Sequence, residues 1–260
     1  VIPISVTSIE QYSFSHCSSL KQIIIPFSVT KIGNYAFQKC LSLIKIVIPS
    51  SVREIGNFAF DGCSSLKIII IPSSIKTISE GIFSECLSLT EILIPKSITT
   101  IECKSFYKCT SLQQIAIPSS VILIDDYAFY GCTSLKQITT PDSLTSIRNG
   151  IFSNCTSLEQ FIIPSLCTEI GNEAFMECTS LKQISIPSSV TKIGEYVFSQ
   201  CQSLVQVTFE DPSSVTFIGY CCFSRCLSLT QIVIPSSVKT IGKYVFYKCS
   251  SLEKITIPSS

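Results

Sequence analysis

Cysteine is the side chain in this sequence best equipped for chemistry, with 15 copies in 260 residues against one histidine, His16. Thiolates act as nucleophiles, redox partners and zinc ligands, and each role demands its own spacing and neighbours. Eleven of the cysteines stand at one fixed interval: Cys17, Cys40, Cys63, Cys86, Cys109, Cys132, Cys155, Cys178, Cys201, Cys226 and Cys249. No Cys-x-x-Cys pair occurs, and His16 alone cannot complete a mixed Cys/His set, so neither a zinc site nor any other metal site is expected. If the interval reflects stacked units, neighbouring cysteines come near enough for a disulfide. Their Cβ vectors then run side by side instead of converging, and free buried thiols are the expectation. Cys103, Cys167, Cys221 and Cys222 fall off the interval; the vicinal pair Cys221–Cys222 has redox potential on paper, and ordinary substitution in a tolerant repeat accounts for it equally simply.

Other chemistry finds less support. A Ser–His–Asp or Cys–His arrangement would have to assemble around His16, in the first and incomplete unit. Carboxylates such as Glu54, Glu80, Asp125 and Asp126 form no recurring pair and read as a solvated face. Serine before leucine recurs at Ser19, Ser42, Ser65, Ser88, Ser111, Ser134, Ser157, Ser180, Ser203, Ser228 and Ser251. A catalytic serine needs no such copies, so this column is expected to hydrogen-bond backbone. Gly33, Gly56, Gly171, Gly194, Gly219 and Gly242 belong to the repeat and build no phosphate loop. Asn154-Cys155-Thr156 is formally a glycosylation sequon, but Cys155 is expected to be buried. The chain therefore reads as non-enzymatic, with no cofactor.

The element that positions these residues is a 23-residue unit, seen in Leu20–Ser42 as LKQIIIPFSVTKIGNYAFQKCLS. Every proline keeps the beat, at Pro3, Pro26, Pro49, Pro72, Pro95, Pro118, Pro141, Pro164, Pro187, Pro212, Pro235 and Pro258. So do Phe14, Phe37, Phe60, Phe83, Phe106, Phe129, Phe152, Phe175, Phe198, Phe223 and Phe246. A fixed period of this size specifies a solenoid whose units bury their apolar sides against one another. Within the unit, Lys21–Ile25 predicts a short strand with Ile23 and Ile25 inward and Gln22 and Ile24 outward. Pro26 ends its pairing, having no N–H to donate. Ser28–Ile32 predicts a second extended piece with Val29 and Ile32 inward. Ile32, Ala36, Phe37 and Cys40 then follow helical spacing, which predicts a helix of about two turns. The fold class is thus an α/β repeat solenoid, with a parallel sheet on one face and short helices on the other.

Residues 1–260 read as a single domain of about eleven units, both terminal ones incomplete, and as a fragment of a longer chain lacking capping repeats. Net charge is +1, with Lys and Arg spread over the units, so nucleic acid is not an expected partner. The longest apolar runs, such as Ile68–Ile71, are far short of the ~20 residues of a membrane helix. Membrane insertion by this segment is not expected. Buried thiols suit a reducing compartment and also survive outside cells.

Variation concentrates on the outward side of the sheet. Two residues past each leucine stand Gln22, Lys45, Ile68, Glu91, Gln114, Gln137, Gln160, Gln183, Gln206, Gln231 and Lys254. Four past it, Ile24, Val47, Ile70, Leu93 and Ala116 are all apolar, whereas the later units mix in Thr and Ser. The candidate protein-binding face is therefore an aliphatic part, Ile24, Val47, Ile68, Ile70 and Leu93, continued by the glutamines Gln22, Gln114, Gln137, Gln160, Gln183, Gln206 and Gln231. The competing account is that β-branched residues simply favour strands. The 25-residue unit Leu204–Ser228 carries Glu210 and Asp211 as extra residues that must bulge at the strand end, either as an acidic contact or as a tolerated insertion.

The unit LxxIxIPxSVTxIGxxAFxxCxS, with its Ile-Gly-x-x-Ala-Phe-x-x-Cys core at Ile32–Cys40, resembles the leucine-rich repeats of the BspA or Treponema pallidum type, over essentially the whole chain. That resemblance implies a right-handed coil or horseshoe. Members look like surface proteins of bacteria and anaerobic protist parasites, several implicated in adhesion to host matrix or plasma proteins. It therefore implies a protein-binding module at the cell surface or outside the cell, and carries no functional residues across. An intracellular, cytoplasmic scaffold within a large assembly is the alternative, and side-by-side pairing of arrays is compatible with either.

Overall fold

The computed structural model describes residues 2–257, so Pro258, the last proline of the series, lies outside the described residues. The chain winds as a parallel solenoid of about eleven coils, each with two extended edges and one edge of turns. Along the first edge run Lys45–Val47, Ile68–Ile70, Gln114–Ala116, Gln137–Thr139, Gln183–Ile186, Gln206–Phe209, Gln231–Val233 and Lys254–Thr256. Lone bridges Gln22↔Lys45 and Gln160↔Gln183 extend the row. Along the second edge lie two-residue strands, one per coil, each ending on an isoleucine that is buried from Ile9 to Ile218 and exposed at Ile241 in the last. Pairing is parallel throughout and in register by one unit, as in Ile46↔Ile69 and Ile170↔Ile193, and the longer unit keeps register as Lys192↔Phe217. Alternation places Ile25, Val29 and Ile32 in the core and leaves Ile24 outside, as strand geometry requires.

The third edge corrects the predicted helices. Among the described residues no helix is present; Gly33–Lys39 and its counterparts are successive turns. The backbone changes hand twice per coil, at Tyr35 (φ 56°) and Lys39 (φ 53°) in this unit. Equivalent positions from Tyr12 and His16 to Tyr244 and Lys248 do the same, and glycine fills only four of them, Gly62, Gly81, Gly131 and Gly150. A left-handed residue costs about 1–2 kcal/mol and stops a right-handed helix. The gain lies in the neighbouring coil. Tyr35, Phe37 and Lys39 donate their N–H groups to the carbonyls of Asn57, Ala59 and Asp61 at 2.7–2.9 Å, while Ala36, Gln38 and Cys40 bond three residues back. A helix would spend all these donors internally. Being about 10 Å across, it would also wedge apart coils whose strands repeat at about 4.8 Å. The turn edge instead stacks close to the strand spacing: successive phenylalanine rings lie 5.2–6.1 Å apart from Phe14 to Phe246.

Two ladders of small polar groups lock the coils. Each column thiol from Cys40 to Cys249 points its Sγ at the phenylalanine carbonyl of the preceding coil, at 2.9–3.3 Å, as Cys63 does to Phe37. That carbonyl also accepts the N–H of its own coil's cysteine, Cys40 in this case. All 15 cysteines are free. The hydroxyl ladder comes from a different serine than expected: Ser28, Ser51, Ser97, Ser120 and Ser189, two residues after proline, donate to carbonyls one coil back at 2.6–2.7 Å. The serines before leucine are mostly half-buried, and through main-chain N–H groups Ser42, Ser88 and Ser203 bond the coil before. At Gly56, added bulk is excluded by contact and not by φ: a Cβ there would lie 2.5 Å from the backbone nitrogen of Asn34.

Candidate binding face

All 12 residues singled out from the sequence are exposed on the outward side of the first edge. Pairing sets them in two rows: Gln22 beside Lys45 and Ile68, Val47 beside Ile70, Gln114 beside Gln137, and Gln160 beside Gln183 and Gln206. Gln231 pairs with Lys254. Ile68 therefore sits in the glutamine row, one row away from Ile24, Val47, Ile70 and Leu93. Exposure is greatest at Leu93 (84 %) and Ile24 (70 %), so these side chains stand clear of the sheet instead of packing into it.

The rows are not one uninterrupted sheet. Strand pairing lapses between Ile68–Ile70 and Gln114–Ala116, where Glu91–Leu93 carries no strand, and again beyond Gln137 and Gln206. At the first lapse the face opens into a depression of about 570 Å³ with Ile68, Leu93 and Ala116 on its floor and walls, and Lys67 and Glu91 supplying opposite charges. A second depression of about 370 Å³ follows at Gln114, Gln137 and Gln160, flanked by Lys136 and Glu159. A third, about 300 Å³, lies by Ile162, Ser185 and Thr208. The face is thus a shallow trough with an aliphatic start and an amide-rich continuation.

The apolar surface extends past the residues chosen from the sequence. Ile162 is 85 % exposed and Val233 is exposed too, alternating with Thr139, Ser185, Thr208 and Thr256 along the row. Both stand in the position four past leucine, and the alternation with Thr and Ser sets them apart from the aliphatic start. Phe161 replaces the usual inward aliphatic residue and packs between Phe152 and Phe175, at 4.9 and 5.1 Å between ring centroids. In the long unit, Glu210 donates its N–H to Ile186, its carboxylate accepts the Ser188 N–H at 3.3 Å, and the Asp211–Pro212 bond is cis. The two extra residues lie past the strand Gln206–Phe209, where the Glu210 N–H adds one rung before the chain bends at Asp211.

Among the described residues no three His, Cys, Asp or Glu side chains gather as a metal site would need. Ion pairs Lys31–Glu54, Lys182–Glu159 and Lys192–Glu169, at 2.9–3.2 Å, join adjacent coils on the solvated surface and are worth little individually. Burial pushes the Cys40 thiol up to about 11 and that of Cys132 up to about 12, and drives Cys86, Cys109, Cys155 and Cys178 well above the usual thiol range. Such thiols are protonated donors and poor nucleophiles at neutral pH. His16 is exposed, and Asn154 of the sequon is half-buried beside the buried Cys155. Among the described residues no helix is long and apolar enough to cross a membrane.

Repeated strand, proline and turn, stacked in parallel with a leucine in every coil, define a leucine-rich-repeat solenoid. The repeat model for the BspA type leucine-rich repeat region matches residues 1–112, 99–212 and 168–260. The chain belongs to that family. It is similar to a leucine-rich repeat protein from Bacteroides ovatus, with 36 % identity and a TM-score of 0.90 over 99 % of this chain and 66 % of that one. A leucine rich cell surface protein from Faecalibacterium prausnitzii shares 26 % identity, with a TM-score of 0.60 over 98 % of this chain and 84 % of that one. The pneumococcal vaccine antigen PcpA, 23 % identical over 99 % of this chain and 61 % of its own, has the same fold with a TM-score of 0.60. The chain thus spans about two thirds of the length of the Bacteroides protein. No curated protein matches it.

Proposed function

We propose that this chain is a non-enzymatic protein-binding module that works at a cell surface, as part of an adhesin or receptor-like ectodomain contacting host or matrix proteins through its sheet trough. The observation that carries this reading is the exposed aliphatic row Ile24, Val47, Ile70 and Leu93 beside a depression lined by Ile68. Exposed apolar surface costs solubility unless something covers it, and contiguous patches of this kind mark contact sites. The glutamines continue it with donors and acceptors that carry no net charge, which suits hydrogen bonding along an extended partner. Membership of the BspA-type family supports the binding role, and the likeness to a cell surface protein of Faecalibacterium prausnitzii supports the location.

The test has two arms. Antibody or protease access to this segment in the full-length protein on living, unpermeabilised cells is expected; protection would sink the surface reading. Matrix proteins are then titrated against the wild type and a Val47→Ser, Ile70→Ser, Leu93→Ser variant. These side chains are exposed, so thermal stability is expected to hold while affinity falls at least about tenfold, or about 1.4 kcal/mol. Unchanged affinity in the folded variant would remove the trough from the binding surface.

A further inference from the structure

The turn edge carries a second surface, remote in kind from the trough. Position by position, aromatic residues there stack on one another in the early coils. Tyr12 lies on Tyr35 at 5.0 Å and 13°, Tyr35 on Phe58 at 5.2 Å and 3°, and Tyr107 on Tyr130 at 4.9 Å and 10°. Stacked rings cover each other's faces. Edge-to-face contacts occur singly at Tyr127–Tyr130, at 63°, and run consecutively only in the last coils: Tyr196 and Tyr220 meet at 71°, Tyr220 and Tyr244 at 89°, and Tyr244 and Tyr247 at 77°, with centroids 5.1–5.8 Å apart. Edge-to-face packing leaves ring faces that no parallel neighbour covers, and these rings border a cleft of about 610 Å³. That volume lies in the range of small-molecule sites.

The polar lining combines serine and tyrosine hydroxyls and the Gln200 amide, which donate and accept, with the Arg225 guanidinium, which donates alone. Gln200 and Arg225 line it, both at the second left-handed position of their coils, where the backbone holds the side chain outward. Lys248 follows at the same position one coil on, its Nζ 5.3 Å from the Tyr247 ring. Among the described residues no carboxylate lines the cleft itself, although Glu177 stands beside it and accepts the Gln200 Nε2–H at 2.9 Å; residues 213–260 hold five basic side chains, Arg225, Lys239, Lys243, Lys248 and Lys254, against Glu253 alone. The rest of the chain is net acidic, since the whole carries 19 basic and 18 acidic residues. An aromatic box for a cationic ligand would place that cation against Arg225, which like-charge repulsion opposes.

We propose that this cleft binds an acidic carbohydrate, with sugar C–H faces lying on the tyrosine rings and the carboxylate or sulfate held by Arg225. The ring faces are electron-rich and attract the slightly positive C–H edge of a pyranose, while tyrosine hydroxyls and the Gln200 Oε1, whose amide nitrogen is held by Glu177, meet its hydroxyl groups. Arginine offers an acid group a two-pronged hydrogen bond. This site is independent of the sheet trough and of whatever protein that trough contacts.

The probes are a trisaccharide of galacturonic acid and a neutral trisaccharide of galactose, titrated into the folded chain by calorimetry at low salt, with a proline-rich peptide as a third ligand. Saturable binding of the acidic sugar, at least about tenfold tighter than the neutral one, is expected. Arg225→Gln should erase that preference, and Tyr220→Ser should lower affinity for both sugars by about tenfold. Tyr244→Asn, placed at φ 60° where asparagine is well tolerated, should do the same without loss of thermal stability. Binding of neither sugar, equal binding of both, or capture of the peptide alone would overturn the proposal. So would acidic-sugar binding that survives Tyr220→Ser and Tyr244→Asn, because diffuse attraction to lysines would then explain it.

Discussion

Raising the pH should unfold this protein through its thiols. Cys86, Cys109, Cys132, Cys155, Cys178, Cys201 and Cys222 have no exposed surface, and burial raises each thiol above its ordinary value of 9.0. Cys132, at about 12, is among the least displaced. Because the folded value lies above the unfolded one, this stabilisation is present in full below pH 9 and is lost as the pH climbs from 9 toward 12 and beyond. At pH 10 an unfolded thiol is ionised about ten to one, favouring the unfolded chain by about 1.4 kcal/mol per cysteine, whereas at pH 8 the term is under about 0.1 kcal/mol. These seven thiols together give about 10 kcal/mol, as large as the whole stability of many domains. Guanidinium unfolding followed by circular dichroism, with reductant present, should therefore show the midpoint falling steeply between pH 9 and 10. Replacing Cys109 and Cys132 by serine, which does not titrate there, should reduce that loss by about 3 kcal/mol. A loss below about 3 kcal/mol in the wild type, or one unaltered by the two serines, would refute a core of protonated thiols.

Further outcomes follow from the coil geometry. Lys104→Gly, at an exposed position with φ 56°, should stabilise by about 0.5–1 kcal/mol, the relief of left-handed strain less the chain entropy of glycine, while Lys104→Ala stays near neutral in the same denaturant assay. The identical change at Lys136, which leads into a strand, should destabilise by about 0.5–1 kcal/mol; equal signs at the two sites would contradict the turn geometry. Gly56→Ala should cost about 1–3 kcal/mol in unfolding free energy, since the new methyl meets the Asn34 backbone. Phe106→Ala, which removes a ring stacked on Phe129 at 5.2 Å and tilted against Phe83 at 5.4 Å, should cost about 3–5 kcal/mol by chemical denaturation, and Phe106→Leu much less.

Much of the architecture was legible because the repeat states it many times. A period of 23 fixes parallel stacking, proline at a constant place fixes where pairing ends, and alternation in Lys21–Ile25 fixes which side faces water. The free thiols also followed from register alone, since stacked Cβ vectors cannot converge. The exposed residues of the candidate face were readable for the same reason, down to Gln231 in the tenth full unit. What the sequence hid lay where local and inter-coil preferences compete. Ile32, Ala36, Phe37 and Cys40 have helical spacing, yet Tyr35 and Lys39 turn left-handed because half the N–H groups find carbonyls on the next coil. With glycine at few of those positions, composition gave no sign of it. Likewise, two serine columns recur along the chain, the one two past proline broken at Leu166, and only the stacked backbone decides that the Ser28 and Ser51 hydroxyls reach a carbonyl while Ser42 bonds through its main-chain N–H. The lapses that open the trough at Leu93 and the turned rings at Tyr220 belong to the same category. Periodicity names the residues that share a column, but the distance and angle between coils are set by the packing of all the columns at once.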